Sequence, residues 1–161
     1  MIDNVRGIIK KGRLCPSRAF GEIKQLAAHE DWEKREDAAT ALVEISRTRD
    51  NEVIQEMIIW ADDNDSNIKR AASEGLRGIA RRNPERILPV IEKLKADPNR
   101  YVKKSVAALL RAISKKNPEF VLDLCRKWVC LENPNTDWII KNGLRKIIES
   151  RPEEVKEILN L

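Results

Sequence analysis

The chain has 161 residues, 35% of them charged and 42% hydrophobic, with only 6 glycines and 7 prolines. That length suits one domain, residues 1–161, with a buried core, and the composition is that of an all-helical soluble protein rather than a disordered or fibrous one. No apolar run approaches about 18 residues and no basic-then-apolar leader is readable, so neither a membrane span nor a secretory signal is expected, and the reading is cytoplasmic.

Cysteine and histidine usage excludes further classes. Cys15, Cys125 and Cys130 form no C-x-x-C pair, and His29 is the single histidine. No zinc site, no other metal and no disulfide are expected. Cys125 lies in an apolar helical run and reads as a small core residue.

The formal charge of +5 hides an uneven distribution. Between Ser66 and Lys116 there are 14 Lys or Arg against 4 Asp or Glu, a net +10 that leaves −5 for the remainder. Positive charge of that density in one segment suggests an anionic partner, most economically nucleic acid.

In chain order, apolar spacing and turn signals place helices near residues 3–11, 17–28, 33–47, 51–61, 67–82, 85–96, 100–115, 119–131, 136–150 and 153–160. They recur with a 34-residue step: Asn83-Pro84-Glu85, Asn117-Pro118-Glu119 and Arg151-Pro152-Glu153 fall in register, each before an apolar run. Proline suits the first helical position, where its missing N–H is no loss. The same step aligns Leu42, Leu76, Leu110 and Leu144, then Ile45, Ile79, Ile113 and Ile147, then Leu26, Trp60, Leu94 and Trp128. The predicted fold is all-α, a right-handed α-solenoid of about five helical hairpins, expected to be monomeric.

Within the helix after Tyr101, the apolar stripe Val102, Val106, Leu109, Leu110 and Ile113 leaves Lys104, Ala108, Arg111 and Lys115 on the opposite face. One unit earlier that face carries Arg70, Glu74, Arg77 and Arg81; one unit later, Trp138, Asn142, Arg145 and Glu149. Helices stack about 8 to 10 Å apart, so Arg77, Arg111 and Arg145 would form a ladder fit to follow a phosphate backbone. Helical repeats also use an arginine per unit to bond a neighbouring turn, and that role is open for the same three residues. Asp63, Asp65, Asn67 and Glu74 stand at the spacing of a calcium loop, but Ile68 occupies the position that needs glycine.

The segment from Glu85 to Ser114 resembles a HEAT unit: an apolar helix, a D-P turn, then V-[KR]-x-x-[AV]-A-x-x-L. A narrower likeness runs from about Trp60 to Ile148. Its phrases are IKRAASEGLR at Ile68 to Arg77, YVKKSVAALLRAISKKNPEFVLDL at Tyr101 to Leu124, Trp128, and DWIIKNGLRKII at Asp137 to Ile148. They resemble the DNA alkylation repair family, the HEAT-like DNA glycosylases of the AlkC/AlkD superfamily.

The resemblance implies a duplex-DNA partner held on a concave basic face, excision of N-alkylated bases, and no cofactor. It assigns catalysis to Glu74, as the carboxylate, and Trp138, as the aromatic face that stabilises the sugar cation. Glu74 is alternatively a salt-bridge partner of Arg70 or Arg77 at helical spacing, and Trp138 aligns with charged positions of other units, so it is expected to face outward. Candidate nucleic-acid contacts are Lys69, Arg70, Arg77, Arg81, Lys103, Lys104, Arg111, Lys115, Lys141 and Arg145. The chain departs from one branch of the family at Asn142, where that branch has tryptophan, and from the other at Gly78-Ile79-Ala80-Arg81, where an arginine-proline-tryptophan stretch is usual. The alternative reading is therefore a non-catalytic HEAT adaptor that binds a protein partner.

Overall fold

A computed structural model describes residues 2–160, with side chains from residue 4 onward. Its α-helices are α1 (Ile2–Leu14), α2 (Ser17–Ala27), α3 (Trp32–Ile45), α4 (Asp50–Trp60), α5 (Ser66–Glu74), α6 (Arg77–Arg82), α7 (Leu88–Leu94), α8 (Arg100–Ser114), α9 (Pro118–Val129), α10 (Pro134–Gly143) and α11 (Pro152–Leu159). Short 3₁₀ turns cover Pro84–Ile87 and Leu144–Lys146. Four hairpins result, α2 with α3, α4 with α5–α6, α7 with α8 and α9 with α10, flanked by α1 and α11.

The second helices of the hairpins stack directly on one another: α1 packs on α3, α3 on α5, α5 on α8 and α8 on α10. They start alike because each is capped by a short polar side chain one repeat apart. Asp31, Asp65, Asn99 and Asn133 accept from backbone N–H groups of the first turns that follow, satisfying donors a helix start leaves orphaned.

The core follows the repeat. The leucine series Leu42, Leu76, Leu110 and Leu144 is fully buried, as are Trp60 and Leu94, with Trp128 nearly so. Leu26, which shares the repeat position of Trp60, Leu94 and Trp128, is only half buried.

Three predicted helices are interrupted. The span 67–82 breaks at Gly75-Leu76 and the span 136–150 breaks after Gly143. Both glycines occupy the same repeat position and press on the preceding unit: a Cβ at Gly75 would stand 2.7 Å from Leu42 Cδ1, and one at Gly143 2.8 Å from Leu110 Cδ1. In α8 that position is Leu109 and the helix runs unbroken. The span 85–96 begins as a 3₁₀ turn because Pro89 lacks the N–H an α-helix would direct to Glu85.

The apparent calcium loop is a capping turn. Asp65 caps α5, while Asp63 accepts from the Asp65 N–H and pairs with Lys24.

Candidate nucleic-acid interface

The stripe left over when the second helices bury their apolar faces forms four parallel rows. One holds Arg70, Lys104 and Trp138; the next Glu74, Ala108 and Asn142; the third Arg77, Arg111 and Arg145; the fourth Arg81, Lys115 and Glu149. Arg81, Lys104, Lys115 and Arg145 are exposed and make no ion pair among the described residues.

In the third row, Arg111 donates from Nη1 to the Asn142 carbonyl at 2.9 Å, in the turn that Gly143 breaks. Burial, and then the positive charge of Arg145, hold the Arg111 guanidinium below the usual arginine value. Arg77 donates from Nε to the Glu74 carbonyl at 3.2 Å, beside the Gly75 break, and stands 3.5 Å from Glu36. Both arginines thus serve the helix breaks as well as the row. Arg145 alone is fully committed to solvent.

Three other predicted contacts occupy different surroundings. Lys69 is ion-paired to Asp97 of the next turn at 2.9 Å, and Asp97 is buried. Lys103, one repeat on, donates to Asn135 Oδ1 at 3.1 Å. Both sit at joints between units. Lys141 is exposed on α10, on which no further second helix stacks among the described residues; the equivalent Ala39, Ser73 and Ala107 are buried. It lines an end cleft with Asp137 and Glu132, away from the rows.

Glu74 and Trp138 are not brought together. Glu74 accepts from Arg70 Nε at 2.7 Å, and Trp138 lies on α10 with α8 packed between, a separation of about two helix spacings, roughly 16 to 20 Å. Trp138 was expected to face outward; it is half buried against the core, with the Lys103 ammonium 5.5 Å from its ring centroid. Packing against α8 of the preceding unit, which carries Lys103, accounts for the difference.

Sequence reasoning missed part of the surface. A cleft of about 460 Å³ between α3 and α6 is lined by five cations, Arg47, Arg77, Arg81, Arg82 and Lys116, against one acid, Glu44. Arg82 and Lys116 are themselves one repeat apart, and Arg47 lies one repeat before Arg81 and Lys115, so extending the alignment one residue and one unit would have found them.

A family model described as DNA alkylation repair enzyme matches residues 18–147. The chain belongs to that family. Among solved structures, it is similar to a Pseudomonas fluorescens alkylpurine DNA glycosylase, AlkC, bound to DNA containing an abasic site analog, with a TM-score of 0.84 at 28% identity. The likeness covers 96% of this chain and 44% of that one, so the chain spans less than half the length of its structural relative. No curated protein matches the sequence. The all-helical HEAT-like solenoid expected from the 34-residue step is thus the architecture of a DNA alkylation repair family member. No helix among the described residues is long and apolar enough to cross a membrane.

Proposed function

We propose that the chain binds duplex DNA by its phosphate backbone, along the rows of cations on the second helices. The observation that carries this is the set Arg81, Lys104, Lys115 and Arg145: exposed, lacking carboxylate partners among the described residues, and spread over three parallel rows on stacked helices, with Arg81 and Lys115 one repeat apart. Like charges aligned without counter-charge repel one another, and an anionic strand at the pitch of the stack relieves that repulsion. At Arg111, burial first and then the charge of Arg145 disfavour the guanidinium cation, so the third row gains from a nearby anion. Rows of this kind hold phosphates and give register; they do not read bases.

Titrating duplex DNA at several salt concentrations tests the reading. With four to six phosphates neutralised, log affinity falls against log salt with a slope of about −4 to −5. A flat response favours the adaptor reading, with a protein as partner, and removes this one.

Excision of an N-alkylated base is the second reading, favoured by family membership. An alkylated base is cationic, so its glycosidic bond breaks with the electron pair leaving on the base; a carboxylate stabilises the sugar cation until water captures it. Glu74 is the carboxylate on the proposed face, with Arg70 as its positioning partner. In this reading Trp138 supports the joint with Lys103 rather than sharing a base with Glu74. Release of methylated base from alkylated duplex, lost in Glu74→Gln, is the expected result; no release by the wild-type protein removes the excision claim and leaves the binding claim standing.

A further inference from the structure

The basic surface does not stop where the basic segment of the sequence does. A second cleft, of about 510 Å³, lies against α1 and is lined by Arg6, Lys10 and Arg13 together with Ile9, Leu14 and Glu44. Glu44 also lines the cleft between α3 and α6, so the two clefts meet at this residue. Across both, Glu44 is the single acid among the lining residues.

The repeat explains the continuity. Arg13, Arg47, Arg81 and Lys115 are successive members of one 34-residue series, and Glu149 ends it. Glu44 takes Arg13 Nη2 on one carboxylate oxygen at 2.9 Å and Arg47 Nη2 on the other at 3.0 Å. The carboxylate is largely covered while both arginine side chains stay open, 43% and 61% exposed. One negative charge thus sets the spacing of two cations and leaves most of their N–H donors facing outward. Arg49 donates from Nε to the Arg13 carbonyl at 3.0 Å, fastening the end of α1 to the turn after α3.

We infer that α1 and the end of α3 extend the DNA-binding groove, with Arg13 and Arg47 as further phosphate contacts and Glu44 as the positioning residue between them. This rests on the DNA-binding reading above. The net negative charge of the chain outside Ser66 to Lys116 conceals the extension, because those acids do not line either cleft apart from Glu44.

The test compares wild type, R13A/R47A and R13K/R47K in salt titrations with duplex DNA. The wild-type slope should drop in magnitude by about 2 in R13A/R47A, since each phosphate contact contributes about 0.9, and R13K/R47K should keep the wild-type slope. An unchanged slope in R13A/R47A overturns the extension and leaves the main reading intact. An equal loss in both variants also overturns it, because charge is then not what matters. A flat wild-type response overturns the DNA reading itself. Should R13A/R47A fail to fold, R6A/K10A probes the α1 cleft without touching the Glu44 pairs; a slope reduced by about 1 to 2 supports the extension, and an unchanged slope sinks it.

Discussion

Arg111 and Asn142 are joined across two units: the guanidinium of α8 donates to a carbonyl of α10, 2.9 Å away, at the turn where Gly143 ends the α-helix. A helix break frees carbonyls that the next turn would otherwise occupy, and a part-buried carbonyl without a donor is costly. The arginine of the preceding unit meets that need, which is why one row of the stripe is divided between holding the stack and facing solvent.

Arg111→Ala should lower unfolding free energy by about 1 to 3 kcal/mol, the cost of an unsatisfied part-buried group. Arg145→Ala, at an exposed site, should change stability by no more than about 0.5 kcal/mol while still reducing the salt slope of DNA binding. Urea unfolding of the two variants side by side decides this. Equal stability would mean that the bond to Asn142 holds nothing.

Gly75→Ala and Gly143→Ala should each destabilise, by about 1 to 3 kcal/mol, because the added methyl overpacks a buried leucine. The leucine atoms stand 2.7 and 2.8 Å from the added Cβ positions. Gly21→Ala provides the contrast: nothing lies within 4 Å of its Cβ, and a helix interior gains about 0.5 to 1 kcal/mol from alanine in place of glycine. Thermal melts that rank Gly21→Ala highest and the other two lowest would agree with the packing described.

Acid should weaken the joint between the first two hairpins. Lys24 hydrogen-bonds the Asp63 carboxylate and holds it below its ordinary value of 3.8. A depressed folded-state value stabilises above the unfolded one and is lost as pH falls through 3.8 toward the folded value. Asp63→Asn should therefore cost stability at pH 7 and little at pH 3, measured by urea unfolding at both. A cost that does not change with pH contradicts the pairing.

The cysteines should separate by reactivity. Burial pushes the Cys125 thiol up to about 12, so it stays protonated and covered. Ser17, by hydrogen bonding, pulls Cys15 below its usual value; burial opposes it, and the backbone and charge of Arg18 add to the lowering. Iodoacetamide at pH 7.5 followed by mass spectrometry should modify Cys15 and leave Cys125 untouched in the folded protein; early labelling of Cys125 would mean that α9 opens readily.

The sequence was informative wherever the repeat itself carries the physics. The leucine and isoleucine series and the placement of the predicted helices, three of them interrupted in the structure, follow from period and turn chemistry, since these depend on neighbours along the chain. The caps Asp31, Asp65, Asn99 and Asn133 were equally readable at the same step but were not singled out. The breaks at Gly75 and Gly143 were less so, because a glycine signals permission to bend and only the approach of Leu42 and Leu110 makes the bend necessary.

The candidate site was legible as a stripe and not as a surface. Periodicity assigns Lys69, Lys103 and Lys141 a place around the helix, but whether a cation there is open depends on what stacks against it. Lys69 found Asp97, Lys103 found Asn135 and the Trp138 ring, and Lys141 was left at an uncovered end. Conversely, Arg13 and Arg47 lie outside the basic segment and join the groove only because α1 docks on α3. The order of residues alone settled that stacked helical hairpins would form and that the leucine and isoleucine series would be buried. Tertiary structure decided which charges face outward and which acids reach them, because ion pairing is a matter of distance in space, and distances between units are fixed only once the helices have packed.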